Sequence, residues 1–266
     1  MAPVPLLSPV LLALALTTVA GLATVVGGLL VLGRRTPGPR TLAFGLAFAA
    51  GAMVFISLVE ILPSAAEHFT DSALGGGDLR WATVWATAAF LLGTLLFLAL
   101  DRPTGGLTRG PTSDEASLRR VGVLTAIAIT AHNFPEGMAT FFTTLEGPEL
   151  GVPMAAAIAI HNIPEGIAVA LPVLAASGSR RTAVLVALGS GLAEPVGALL
   201  GYAVLAPFLS PAVFGAVFGG IAGAMVFLAL VELLPVAYRH SEGREAGAGL
   251  ITGMAVLAAS LVLLQW

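Results

Sequence analysis

Eight apolar runs divide this chain almost from end to end: 4–32, 41–62, 81–100, 121–144, 152–175, 182–205, 212–236 and 247–264. Each is close to the roughly 20 residues a helix needs to cross a bilayer. In hydrocarbon every backbone N–H and C=O has to be paired within the protein, so such a run is a helix or a strand of a closed barrel. Spanning strands are short and alternate polar with apolar residues. These runs are long and apolar all round. The expected fold is therefore an all-α integral membrane protein, eight transmembrane helices forming one domain over residues 1–266. Only 10% of residues are charged, against about 25% in a soluble domain. The partner implied first is the lipid bilayer. No basic patch points to nucleic acid, and no glycine-rich phosphate loop points to a nucleotide.

The basic residues orient the chain. All twelve are Arg. Arg34, Arg35 and Arg40 fall between the first and second runs, and Arg102, Arg109, Arg119 and Arg120 between the third and fourth. Arg180 and Arg181 follow the fifth run, and Arg239 and Arg244 the seventh. The alternate connections carry only Arg80, beside acids such as Asp71, Asp78, Glu146 and Glu149. Cytoplasmic loops are the Arg-rich ones, so both termini are expected outside the cell (inner) membrane. No Arg precedes the run 4–32, which argues against a signal peptide with its basic leader. The connection 101–120, rich in Pro, Gly, Thr and Ser, reads as a flexible cytoplasmic loop. It holds no His and so is not a metal-buffering tract. The chain has no Cys, which excludes disulfides and thiolate ligands.

Two repeats follow. Gly51 to Pro63, GAMVFISLVEILP, recurs as GAMVFLALVELLP from Gly223 to Pro235, with ten of thirteen positions identical. His132-Asn133-Phe134-Pro135-Glu136-Gly137 recurs as His161-Asn162-Ile163-Pro164-Glu165-Gly166. The first pair links helices 2 and 7, the second helices 4 and 5. Each pair is an odd number of spans apart and so runs in opposite directions. That is the pattern of an inverted repeat, three helices, a central two, then three, with a binding site at the repeat interface near the midplane.

The hexapeptides carry the chemistry. A Glu at the centre of a bilayer is disfavoured by about 2.5–3.5 kcal/mol on insertion scales, and here it occurs twice with His and Asn. Residues four apart share a helix face, which joins His132 to Glu136 and His161 to Glu165. Two antiparallel helices bring these together as a site of two imidazoles and two carboxylates, a donor set suited to Zn²⁺. Asn133 and Asn162, three residues before each Glu, add carbonyl oxygens. Glu136 and Glu165 can then bridge to a second, oxygen-rich position suited to Fe²⁺ or Mn²⁺. Glu194, in Ala193-Glu194-Pro195 of helix 6, is a further contact for that second ion. Pro135 and Pro164 withhold donors from the carbonyls of Ala131 and Ile160 and are expected to kink their helices. Glu60 and Glu232, each three residues before a Pro, are placed near helix ends, where snorkelling, packing and gating are all open. His68 and His240 read as loop residues without a role.

These motifs, with eight helices and outside termini, resemble the ZIP (zinc/iron-regulated transporter-like) family of metal transporters, in its bacterial ZupT-type branch. The resemblance covers essentially the whole chain. It implies uptake of Zn²⁺, and possibly Fe²⁺, Mn²⁺ or Cd²⁺, toward the cytoplasm through a binuclear midplane site in a homodimer. No prosthetic group is implied; the ions are cargo. By position, His132, Glu136, His161 and Glu165 would hold zinc. Asn133, Glu136, Asn162, Glu165 and Glu194 would hold the second ion. The alternative is an enzyme, an intramembrane metalloprotease, which requires a His-Glu-x-x-His helix and an open metal position. A membrane scaffold is a third reading, and it leaves the buried ligands unexplained.

Overall fold

The computed structural model describes residues 9–33, 38–101, 114–205, 210–241 and 243–264. Every regular element among them is helical. In chain order the rods are α1 (Pro9–Leu30), α2 (Pro39–Thr70), α3 (Leu79–Asp101), α4 (Asp114–Glu146), α5 (Pro148–Ser177), α6 (Arg180–Val204), α7 (Pro211–Arg239) and α8 (Arg244–Leu264). Seven are long and apolar enough to cross a membrane; α4 is not among them. It carries the polar hexapeptide together with Thr125, Thr130, Thr140, Thr143 and Thr144, which dilute its apolar content. α4 begins at Asp114, inside the connection expected as a loop over 101–120; residues 102–113 lie outside the described set.

Local chemistry sets several ends. Gly178, at φ 63°, closes α5 in the left-handed region, which glycine enters without steric penalty. Ser179 then caps α6 by accepting from the Thr182 amide at 3.2 Å. Ser210 caps α7 in the same way, accepting from Val213 at 3.3 Å. Such caps satisfy amides that the first helical turn leaves unpaired.

Helices 2 and 7 continue through Pro63 and Pro235 to Thr70 and Arg239, beyond the ends of their apolar runs at 62 and 236. In α2 the stretch Ser57–Ile61 widens to a π-helical turn, and Leu62–Thr70 restarts with Pro63 in its first turn. In α7 the stretch Leu228–Leu233 does the same before Pro235. A first-turn proline has no amide partner to lose. The wide turn thus absorbs the defect that would otherwise break the helix. It also moves Glu60 and Glu232 from helix ends, where the sequence placed them, to the interior of long rods.

The rods pack through glycine. Lipid tails are as apolar as Leu, so helices associate in a bilayer by close contact and polar pairing. A β-carbon on Gly27 of α1 would strike the Ile163 carbonyl of α5, and one on Gly166 of α5 the Thr24 carbonyl of α1. α4 and α6 meet likewise, with Gly137 against the Glu194 carbonyl and Gly197 against that of Phe134. Gly21 of α1 and Gly191 of α6 face each other's carbonyls. In the other half, Gly51 abuts Leu250 and Gly253 abuts Phe48, while Gly223 abuts Phe90 and Gly93 abuts Gly220. The close contacts therefore gather α1, α4, α5 and α6 around one centre and pair α2 with α8 and α3 with α7.

The outer surface is apolar. Trp81, Val84, Leu91, Leu92, Leu95 and Leu96 of α3 are all exposed. A continuous apolar face of this kind requires a non-aqueous surrounding or a partner. Charged residues that meet water do so at helix ends, as in the 3.3 Å pair of Arg40 with Glu245, which brings the starts of α2 and α8 to one side of the molecule.

Backbone contact at glycine gives a direct test. Gly166→Ala is expected to force α1 from α5 and lower stability by about 1–3 kcal/mol. At Gly189 an added β-carbon meets nothing within 4 Å. Gly189→Ala is expected to be neutral or stabilising by roughly 0.5–1 kcal/mol. Thermal unfolding of both variants in detergent micelles checks this; equal melting temperatures would contradict the contact.

Candidate metal centre

The two hexapeptides lie side by side on α4 and α5. His132, Asn133, Asn162 and Glu194 are fully buried or nearly so, and Glu136, Glu165 and His161 are no more than 5% exposed. Glu136 Oε1 stands 3.0 Å from His132 Nε2 and 3.0 Å from His161 Nε2. His132 Nε2 is also 3.4 Å from Glu165 Oε1. The structure thus brings together all four residues assigned to zinc. Ligands about 2.0 Å from a tetrahedral Zn²⁺ stand roughly 3.3 Å apart, so these spacings are those of neighbouring ligands. They do not close on one point. Among the described residues no group of three or more His, Asp or Glu side chains stands ready-made around a metal position. Instead, Glu136 draws both imidazoles onto a single oxygen.

The asparagines are anchored from behind. Asn162 donates its Nδ2 hydrogens to the Ala20 carbonyl of α1 at 2.9 Å and to Glu194 Oε1. Asn133 donates to the Ser190 carbonyl of α6 at 3.1 Å. A carbonyl can only accept, so each amide presents its nitrogen to α1 or α6. Each Oδ1 is left buried and without a hydrogen bond. Glu136 Oε2, both Glu165 oxygens and Glu194 Oε2 are likewise without one. Buried acceptors left unpaired are disfavoured by about 1–3 kcal/mol each. Here they belong to the residues the sequence singled out, and a hard divalent cation would satisfy them.

The two anchors reveal a repeat that the sequence reading missed. Gly21 to Leu30 reads GLATVVGGLL, and Gly191 to Leu200 reads GLAEPVGALL, with seven of ten positions identical. Ala20 and Ser190, the two acceptors, both sit one residue before it. The signal was present but short, and Thr24 opposite Glu194 and Val25 opposite Pro195 obscured it. α6 turns at Leu192 between Arg180–Gly191 and Ala193–Leu200, which sets Pro195 in the first turn of the second segment. α1 has no proline here and runs unbroken.

A cavity of about 330 Å³ reaches Glu136 and His161 from the ends of α2 and α4 and the starts of α5 and α7. Glu60, Ser64, Glu67 and His68 line it, with Phe214 and Phe218. His68 is helical rather than in a loop, and its ring stacks on Phe214 and Phe218 at 5.4 and 5.6 Å between centroids. Glu60 belongs to the cavity wall, so the wide turn of α2 aims it at the site. Glu232 is buried. His240 follows α7, its Nδ1 2.8 Å from the Val236 carbonyl. At the opposite ends of α4 and α5 a separate hollow of about 460 Å³, lined in part by Arg119, Ser177 and Thr182, includes none of the hexapeptide side chains.

The family model described as ZIP zinc transporter matches residues 7–120 and 108–261. A protein named zinc transporter ZupT from Stenotrophomonas maltophilia (strain R551-3) is 56% identical over 263 residues, 96% of each chain. Its namesake from Neisseria meningitidis serogroup B is 55% identical over 268 residues, 98% of each chain. One from Corynebacterium efficiens is 48% identical over 268 residues, 96% of this chain and 98% of the relative. Matched along nearly its whole length, and carrying two buried His-Asn-x-Pro-Glu-Gly motifs at its centre, the chain belongs to the ZIP family of zinc transporters.

Proposed function

We propose that this protein takes up Zn²⁺ across the cell inner membrane into the cytoplasm through a binuclear site on α4, α5 and α6. The observation that carries the reading is the buried meeting of two imidazoles and three carboxylates, with Glu136 Oε2, both Glu165 oxygens and Glu194 Oε2 left without hydrogen bonds. Groups of this kind persist inside a membrane where they serve transport. His132, Glu136, His161 and Glu165 hold the first ion. Asn133, Glu136, Asn162, Glu165 and Glu194 hold the second, whose oxygen donors also suit Fe²⁺, Mn²⁺ and Cd²⁺ to different degrees. The ions are cargo and no prosthetic group takes part. The ZIP family is one of transporters rather than enzymes, which removes the metalloprotease alternative.

In this proposal all eight helices span the membrane as an inverted repeat, with α1–α3 matching α6–α8 and α4 matching α5. The glycine contacts support it, because they come in matched sets. Gly27 with Gly166 corresponds to Gly197 with Gly137, Gly51 with Leu250 to Gly223 with Phe90, and Gly253 with Phe48 to Gly93 with Gly220. The anchors Asn162 to Ala20 and Asn133 to Ser190 correspond too. Both termini lie outside, and the protein is a homodimer, as the family resemblance implies. The cavity at Glu60 and His68 then faces outward and delivers ions to Glu136 and His161. The hollow beside Arg119 faces the cytoplasm, where positive charge belongs.

Three measurements check these statements. The chain has no Cys, so single cysteines report orientation. In intact cells Leu74→Cys is expected to react with an impermeant maleimide and Thr108→Cys is not; the reverse pattern would invert the topology. Second, Glu136→Ala and Glu165→Ala are each expected to lower Zn²⁺ uptake by more than about a hundredfold, since loss of a ligand exceeds the 10–100-fold typical of its supporting partners. Proteoliposome flux at matched protein levels decides it, and wild-type uptake by either variant would exclude the bridging role. Third, Glu194→Gln is expected to weaken Fe²⁺ or Mn²⁺ uptake more than Zn²⁺ uptake, and His161→Ala to do the opposite. Proportional loss of every metal in both variants would mean that the two positions act as one.

A further inference from the structure

We infer that Thr24 of α1 is a further ligand of the transported ion: its hydroxyl supplies a neutral oxygen to the second position, in the place related by the repeat to Glu194. This rests on the binuclear reading above and extends it to a residue outside both hexapeptides.

Three observations lead to Thr24. The first is register. In GLATVVGGLL and GLAEPVGALL the fourth positions are Thr24 and Glu194, so the second half of the chain carries a proposed ligand where the first carries Thr24. The second is place. α1 and α6 cross at Gly21 and Gly191. A β-carbon on Gly191 would come 3.2 Å from the Thr24 β-carbon, and one on Gly21 3.3 Å from that of Glu194. Thr24 and Glu194 thus flank the crossing symmetrically, each reaching over the other helix's glycine.

The third is an unpaired hydroxyl with a visible cause. A buried helical Thr ordinarily donates to the carbonyl four residues back. Thr17 does so to Ala13 at 2.8 Å, Thr140 to Glu136 at 3.0 Å and Thr144 to Thr140 at 2.7 Å. For Thr24 that carbonyl is Ala20, which instead accepts the Asn162 amide. Thr24 is 0% exposed, and its Oγ1 has no hydrogen bond. By taking that carbonyl, the Asn162 amide leaves the Thr24 hydroxyl without its usual acceptor. Ser57 and Thr125 also hold buried hydroxyls without a partner. Their repeat counterparts are Ala229 and Met154, neither of them a proposed ligand.

The chemistry fits the second position. A Thr hydroxyl is a hard, uncharged donor of the kind that meets Mg²⁺ in phosphate-binding loops. It favours Mn²⁺ or Fe²⁺ over softer ions. A Glu at position 24 would make a fourth carboxylate and bind a divalent cation more tightly. An ion that has to leave again is better served by an uncharged oxygen.

The test uses the full chain. In proteoliposomes supplied with labelled Zn²⁺ and Mn²⁺ together, Thr24→Val, which keeps shape and removes the hydroxyl, is expected to lower the Mn²⁺ to Zn²⁺ uptake ratio by about tenfold. Thr24→Ser is expected to keep the wild-type ratio. Thr24→Cys introduces the only thiol in the protein and gives a readout independent of transport. Titration with Cd²⁺ is expected to produce a thiolate-to-metal charge-transfer band in the ultraviolet, because a coordinating thiol is deprotonated outright. Thr17→Cys, two turns away on the same face, is expected to produce none. A wild-type ratio in Thr24→Val, or no band in Thr24→Cys, would overturn the assignment. If Thr24→Val does not reach a folded state, the band decides alone. Wild-type protein that moves neither metal would defeat the transport reading itself. Wild-type flux abolished by Glu136→Ala, with Thr24→Val unaffected, would leave that reading standing and remove only Thr24.

Discussion

The structure turns on keeping polar side chains inside an apolar bundle without letting them satisfy one another completely. A buried carboxylate without partners is disfavoured, and a fully paired one would have nothing left for an ion. At four groups the bundle pairs one atom and leaves another, while both Glu165 oxygens keep no hydrogen bond. Asn162 and Asn133 lend their nitrogens to carbonyls of α1 and α6 and keep their oxygens. Glu194 gives one oxygen to Asn162 and keeps the other. Glu136 takes both imidazoles on Oε1 and keeps Oε2.

That division requires backbones in near contact. The Asn side chain is short, and it reaches a carbonyl on the next helix only if the two rods approach without intervening side chains. Gly27 with Gly166, and Gly137 with Gly197, supply that approach on either side of the site. The glycines that look like filler in the composition are therefore part of the binding chemistry. A bulkier residue at any of them would lengthen the Asn contacts and free the amide to turn round.

Much of the site was legible in the sequence because it is written as identity between distant segments. The hexapeptides name six of the seven ligands expected from the sequence, and the Glu60 and Glu232 repeat ties α2 to α7. What was not legible depended on backbone geometry. A proline three residues after Glu60 reads as a stop. Only a widened turn lets α2 continue to Thr70 and turns His68 from a loop residue into a wall of the cavity. The α1–α6 repeat was hidden for a different reason. Its most informative positions, Thr24 with Val25 against Glu194 with Pro195, are those at which the two copies differ.

The contacts at Glu136 bear on how such a site can release what it binds. A divalent ion that takes Glu136 Oε1 must compete with two imidazole nitrogens 3.0 Å away. If those imidazoles become its ligands, the ion exchanges the His161 hydrogen bond and the His132 ion-pair contact for coordination rather than filling an idle cage, and only the difference in free energy appears as affinity. A rigid set of donors held apart and facing one centre would bind more tightly and let go more slowly. Conduction needs an occupant stable enough to arrive and loose enough to depart. Donors that lean on one another, held by short asparagine tethers on two different helices, have both properties. A small relative shift of α1 or α6 against α5 would change the Ala20 or Glu194 contact with Asn162 and so alter the oxygen set around the proposed second position. In the transport proposed above, coupling between helix movement and ion affinity would reside in Asn162, the residue that touches both helices at once.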